Sequence, residues 1–271
     1  MSGPGLTIPI GQFIPGGSPV HGLDPRTKLV ATLGFAVALF AVEGWAGVGV
    51  LAAGLAGALA VAGVPAGYLW RSLRPLLFLL VLTFVIQAFS FPGEPVVALG
   101  PFSITREGLS RGGFLTLRLG LLLVSSATLT LTTAPVALTD GIEWLLGPLR
   151  RVGVPSHEIA LMMTIALRFI PTLLRELDDL IKAQKARGAD LSVRDPRRLA
   201  DAVLPLVVPL FVLSFRRADD LAVAMTSRCY RGAVGRTRYR ELRAGAGDVL
   251  ASVALVVWFV AALSVGRLWG V

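Results

Sequence analysis

Cysteine is nearly missing from this sequence: Cys229 is its only one, which excludes an internal disulfide. Histidine occurs twice, at His21 and His157, too far apart in sequence to mark a metal site. No Gly-x-x-x-x-Gly-Lys-Ser/Thr run occurs, so the chain is not expected to bind ATP itself. His-Glu-x-x-His and serine-elbow patterns are also absent, and no acid–base constellation stands in their place. No catalysis, cofactor or metal is therefore expected. Charge is scarce as well. Asp, Glu, Lys and Arg make up 16% of residues, against roughly 25% in ordinary soluble domains.

What fills the sequence instead is hydrocarbon. Of its 271 residues 54% are hydrophobic, the mean hydropathy is +0.72, and apolar runs approach the roughly 20 residues that a membrane-spanning helix needs. The reading is an all-α integral membrane protein. Its formal charge of +9 does not point to nucleic acid, because the charge is concentrated in one region. Eighteen of the 26 Lys and Arg residues lie between Ala134 and Arg243, with 12 of the 17 acids, and apolar runs flank that stretch. Cations beside spanning helices are the positive-inside pattern and suit an anionic cytoplasmic leaflet.

Residues 1–23 are rich in Gly and Pro and show no basic segment followed by a short apolar core, so no cleaved signal is expected. In LDPRTKL (23–29) Asp24 can cap a helix and Pro25 can occupy its first position. Arg26 and Lys28 are then expected at headgroup level. Apolar runs follow at about 29–42 (which is short), 45–64, 75–91, 113–133 and 249–265, with a tight turn at Glu43-Gly44 and a loop holding Pro92, Pro95 and Pro101. Five spans with a cytoplasmic N-terminus put Arg26, Lys28, Arg71, Arg74 and the large basic region on one side. The expected organisation is a membrane bundle at 1–133, a cytoplasmic or interfacial region at 134–243 and a last spanning helix at 244–271. Within the middle region, 159–170 and 204–215 are apolar but too short to span, and Arg168, Pro205 and Pro209 interrupt them. They read as long interfacial helices, or alternatively as a buried helix pair. Arg118 is the ionised group inside a span; such groups are functional suspects, though pairing within the bundle or a place near the interface serves equally.

The middle region also repeats itself. RELDDLIKAQKARGA (175–189) and RRADDLAVAMTSRCY (216–230), laid over each other at an offset of 41, share Arg, Asp-Asp-Leu, Ala and Arg. Leu173, Leu177, Leu180 and Gln184 form one stripe at helical spacing, and Arg187 returns to it near the end. Leu221 and Met225 precede Arg228 at the same spacing. Cations in a last helical turn, with Gly after it, are ordinary helix chemistry, and Asp178–Lys182 is an ordinary surface pair. In the second copy, Val223 and Ala224 stand where a cation would pair with Asp219 and Asp220, so surface pairing does not explain the repetition. An arginine between small neighbours forms a plug whose rigid fork suits a carboxylate. Two plugs suit a partner with two similar sockets.

SPVHGLDPRTKL (18–29), KARGA (185–189) and AMTSRCYRGAVGRTRYREL (224–242), in this order, resemble the transmembrane T component of energy-coupling factor transporters. The resemblance runs from about residue 13 to the final helix. It implies a scaffold of an ABC-type importer in the cell membrane, with no catalysis of its own. Its coupling region would be cytoplasmic, and its partners would be two homologous ABC-type ATPase subunits and a membrane S component that binds a vitamin or transition-metal ion. Carried over, Ala186-Arg187-Gly188 is the first ATPase-docking motif. Ser227-Arg228-Cys229 is the second, with Ser in place of Ala and Cys in place of Gly. Arg231-Gly232 is an alternative second motif, although only Arg228 keeps the 41-residue match. The rival reading, a stand-alone secondary transporter, needs ionisable groups or broken helices at mid-membrane, and the spans offer little beyond Arg118 and Gln87.

Overall fold

The structure is a computed structural model that describes residues 16–93, 95–99, 102–189, 196–232 and 245–269. These fall into two compact units. One holds residues 16–141 with 245–269; the other holds residues 142–232.

The first unit is a helical bundle. Ser18 caps the short α1 (Pro19–Gly22). Asp24 caps α2 (Pro25–Ala41), accepting from the Arg26 amide at 2.9 Å, with Pro25 at the first helical position. Glu43-Gly44 turns the chain, Gly44 at φ 91°, into α3 (Trp45–Ala62). There follow α4 (Ala66–Ser90), α5 (Arg106–Thr132), α6 (Pro135–Leu146), which leads into the second unit, and, at the far end of the chain, α9 (Ala246–Trp269). Phe35, Ala38, Leu39, Val42, Val48, Leu51, Leu55 and Ala262 form its buried core, drawn from α2, its C-cap, α3 and α9. Two glycines let α9 approach closely: a Cβ on Gly54 would collide with the Trp258 indole, and one on Gly47 with the Val42 side chain. Small residues at helix contacts are how backbones come together where lipid removes the hydrophobic drive. The Trp258 indole N–H then donates to the Val50 carbonyl at 3.0 Å and its ring stacks on Phe35.

Four expectations change. The loop after α4 contains an antiparallel hairpin, β1 (Pro95–Leu99) with β2 (Phe102–Thr105), so the helical architecture carries one small β element. Both segments hold β-branched residues, which favour a pleated backbone; Pro101 lies outside the described residues. Secondly, five helices are long and apolar enough to cross a membrane, but they are α3, α4, α5, α9 and α7 (Ser156–Ala186). α2 has 17 residues, about 25 Å at 1.5 Å each, short of a hydrocarbon core of about 30 Å. Thirdly, the stretches that seemed interrupted are continuous. α7 joins 159–170 to the charged segment after it through Pro171, and α8 (Pro196–Ser227) runs through Pro205 and Pro209. Each proline removes one backbone donor, a loss that a helix of about thirty residues carries. α7 follows a 3₁₀ turn at Gly147–Val152. Fourthly, Lys28 does not stand on the surface of the bundle: it is buried, 7% exposed.

Lys28 is buried because it ends another helix. Its ammonium donates to the carbonyl of Thr132, the last residue of α5, at 3.0 Å and to the His21 carbonyl at 3.1 Å. Burial pushes the Lys28 pKa down, and the nearby carboxylates of Asp248 and Asp24 oppose that shift without cancelling it. Asp248 in turn accepts the Asp24 amide at 2.7 Å and the Gly245 amide at 2.8 Å. One buried cluster thus ties the starts of α2 and α9 to the end of α5. Lys28→Met is expected to destabilise the protein by about 3 kcal/mol, since it strands the carbonyls of His21 and Thr132. Thermal unfolding in detergent measures this. Lys182→Met, at an exposed pair, should leave the melting temperature unchanged.

Candidate functional site

The repeat in the sequence is also a repeat in the backbone. At the end of α7 the Arg187 amide donates to the carbonyls of Ala183 and Gln184 (3.2 and 3.1 Å), the Gly188 amide to Lys185 (3.0 Å) and the Ala189 amide to Gln184 (3.0 Å). Forty-one residues on, at the end of α8, the Arg228 amide donates to Ala224 and Met225 (3.3 and 3.1 Å), the Cys229 amide to Thr226 (2.9 Å) and the Tyr230 amide to Met225 (3.0 Å). Each bond has its counterpart at the same offset. Both ends are Schellman caps, in which the residue after the arginine turns left-handed so that the next two amides reach back to the last carbonyls.

That turn sets the residue types. Gly188 has φ 85° and Cys229 has φ 58°; among the described residues Cys229 is the only non-glycine with a positive φ. A side chain in this conformation costs about 1–2 kcal/mol. The sequence predicts Gly at such a cap, and the second copy keeps the geometry although it has a cysteine.

The caps present both arginines outward. Arg187 and Arg228 are exposed, and among the described residues neither guanidinium forms an ion pair. Their neighbours Ala186, Gly188, Ser227 and Cys229 are small and exposed. The Ser227 hydroxyl turns back to the Val223 carbonyl at 2.7 Å, so it behaves as part of the helix. A flat surface can therefore approach each arginine closely. The alternative arginine, Arg231, is exposed too, and Gly232 has φ 81°. The capping bonds that repeat at 41 residues centre on Arg228, not on Arg231.

Behind the arginines, the predicted stripe is half-buried: Leu173, Leu177, Leu180 and Gln184 on α7, Leu221 and Met225 on α8. A cleft of about 260 Å³ separates Ile165, Phe169 and Leu173 from Leu221, Ala222 and Met225. Asp178 pairs with Lys182 at 2.6 Å, as the spacing predicts. What the sequence reading passed over is an ion pair between the helices, Arg217 Nη2 to Glu176 Oε1. The available signal was an opposite charge at one position of the two copies.

The remaining polar residues have local duties. Arg118 Nη2 donates at 2.8 Å to the carbonyl of Val42, the C-cap of α2, and its guanidinium lies over the rings of Phe114 and Phe40. It is paired within the bundle. His21 bonds Ser18 at 2.6 Å, and His157 meets Glu143 at 3.1 Å. Among the described residues no group of three or more His, Cys, Asp or Glu gathers as metal ligands would. Since the left-handed turn at Cys229 suits glycine and resists β-branched side chains, Cys229→Gly should keep or raise the melting temperature. Cys229→Val should lower it, by about 1–2 kcal/mol in stability, and thermal unfolding of the purified variants decides.

A family model described as CbiQ, cobalt transport protein, matches residues 16–239. A relative from Thermosediminibacter oceani, named energy-coupling factor transporter transmembrane protein EcfT, is 50% identical over 262 residues, 97% of this chain and 99% of the relative. Proteins of the same name from Acidaminococcus fermentans and Bacillus subtilis are 48% identical over 253 residues and 41% identical over 249. Those matches cover 93% and 92% of this chain, and 94% of each relative. With its apolar helices and its end-to-end match to these proteins, the chain belongs to the CbiQ family, as a multi-pass transmembrane component of an energy-coupling factor transporter.

Proposed function

We propose that the chain is the energy-coupling scaffold of an ABC-type importer, with no catalysis of its own. Two ATPase subunits dock on the ends of α7 and α8 from the cytoplasm, and an S component that binds a vitamin or transition-metal ion packs against the apolar helices. The observation that carries this reading is the twinned helix end: two arginines, exposed between small residues and without an ion pair among the described residues, on two caps built bond for bond alike. A pair of similar ATPases offers two similar grooves, and one protein ending two helices in the same way fits both. When ATP draws the ATPases together, each groove moves its arginine. The helix behind it is stiff enough to carry the displacement into the membrane. Exposed apolar residues along α8, among them Leu204, Val208, Phe211 and Phe215, give that movement a surface on which to act. The stand-alone transporter has less support, because Arg118, its main intramembrane candidate, serves the end of α2.

An arginine lost from a desolvated, hydrogen-bonded charge pair costs about 2–5 kcal/mol of association, at least a tenfold change. Arg187→Glu and Arg228→Glu are each expected to reduce co-purification of the ATPase subunits by that factor or more. ATP-driven uptake by the complex with its own S component should be abolished, while the variant chain still inserts in the membrane. The double variant retaining its ATPases and wild-type uptake would overturn the reading.

A further inference from the structure

The repeat has a centre, and an ion pair sits on it. At an offset of 41, position 176 in the first copy is position 217 in the second; one holds Glu, the other Arg. These two side chains bond to each other directly. Two copies of a helix touch at the same position only where a two-fold relation would carry one onto the other. Equal residues meeting themselves there would repel, and a change in one copy to the opposite charge turns that repulsion into a bond.

The neighbouring cleft obeys the same relation. Ile165, Phe169 and Leu173 precede Glu176 in α7; Leu221, Ala222 and Met225 follow Arg217 in α8; and these two groups face each other. Ser214 and Ala218, on either side of Arg217, line the same cleft, so the two helices cross at the pair. Each capping arginine lies eleven residues beyond its own member of the pair, Arg187 after Glu176 and Arg228 after Arg217. That is about 16 Å of helix on either side, two arms of equal length. The contact is partly shielded: the Glu176 side chain is 18% exposed, and its second oxygen is buried with no partner among the described residues.

We propose that Glu176 and Arg217 are the pivot of this helix pair, positioning residues that fix the crossing so that one arm cannot move without the other. The proposal rests on the reading that Arg187 and Arg228 dock on ATPase subunits. A loose crossing would let each ATPase displace its own arm alone, and the movement would be lost in slippage between α7 and α8.

The test uses the full complex and ATP as its probe. Lys185 and Thr226, equivalent exposed positions of the two arms, are changed to cysteine and spin-labelled in a Cys229→Gly background, which matches the glycine of the first cap and is first checked to co-purify with its ATPase subunits. The distance between the labels is then measured without nucleotide and with ATP trapped by vanadate. Without further change, a single narrow distance is expected that shifts with ATP. Glu176→Arg and Arg217→Glu, which set like charges against each other, should broaden the distribution and lose the ATP-driven shift, with the ATPase subunits still bound. Exchanging the two residues, Glu176→Arg with Arg217→Glu, should restore the narrow, shifting distance. If the charge-reversed variants do not accumulate, Glu176→Gln, which keeps the shape and loses the charge, is expected to show the same broadening in milder form. An unchanged distribution in Glu176→Gln or Glu176→Arg overturns the pivot, as does an exchange variant no better than its single parents. Failure of the ATPases to co-purify with the unaltered chain would instead overturn the docking reading on which the pivot rests.

Discussion

The last carbonyls of a helix have no partner within the helix, and in an apolar surrounding each unmet carbonyl is expensive. Much of this protein's polar chemistry answers that requirement. α2, with 17 residues, is at the short end of what a span needs, and Arg118 meets its end with a guanidinium held over two aromatic rings. α5 ends at Thr132, where the buried Lys28 ammonium does the same work, with two carboxylates nearby that partly offset the cost of its burial. At α7 and α8 the backbone closes the ends by itself, through left-handed turns at Gly188 and Cys229. That difference separates the two kinds of cation. Arg118 and Lys28 each finish a helix. Arg187 and Arg228 stand where the cap needs no side chain, and among the described residues neither is drawn into an ion pair.

The sequence shows features whose cause is local and hides those whose cause is distant. The cap at Asp24-Pro25, the Glu43-Gly44 turn and the Asp178–Lys182 pair each depend on residues a few positions apart, and each is where the spacing places it. The twin helix ends could be read because the repetition itself is local, fifteen residues compared with fifteen. The burial of Lys28 could not be read, since its bonding partner is 104 residues away and the carboxylate that helps hold it, Asp248, comes from the last helix. Nor could the continuity of α8: Pro205 and Pro209 argue against a helix by their own chemistry, and the helix forms in spite of them. The Glu176–Arg217 bond lies between these cases. It joins residues 41 apart, and a comparison that looks for identities passes over the one position where the copies differ by a full reversal of charge.

The two units solve different problems. In the bundle, closeness is the rule: glycines admit Trp258 and the α9 backbone, and small residues meet where helices touch. In α7 and α8, reach is the rule. They are the longest helices described, at 31 and 32 residues, with few buried side chains and many apolar ones left outward. Little of their surface is spent on holding themselves together, which suits elements whose contacts are to be made with other proteins.

The place of α9 in the chain bears on how the molecule is made. It is made after α7 and α8, yet Ala262 lies in the innermost core, Trp258 is hydrogen-bonded to α3, and Asp248 receives the amide that opens α2. While the ribosome is still translating α7 and α8, the earliest helices wait in the bilayer without the element that seals them. Premature termination anywhere before residue 246 thus removes no mere appendage. It leaves a nascent bundle with a missing wall, whose uncovered contact surface favours misassembly.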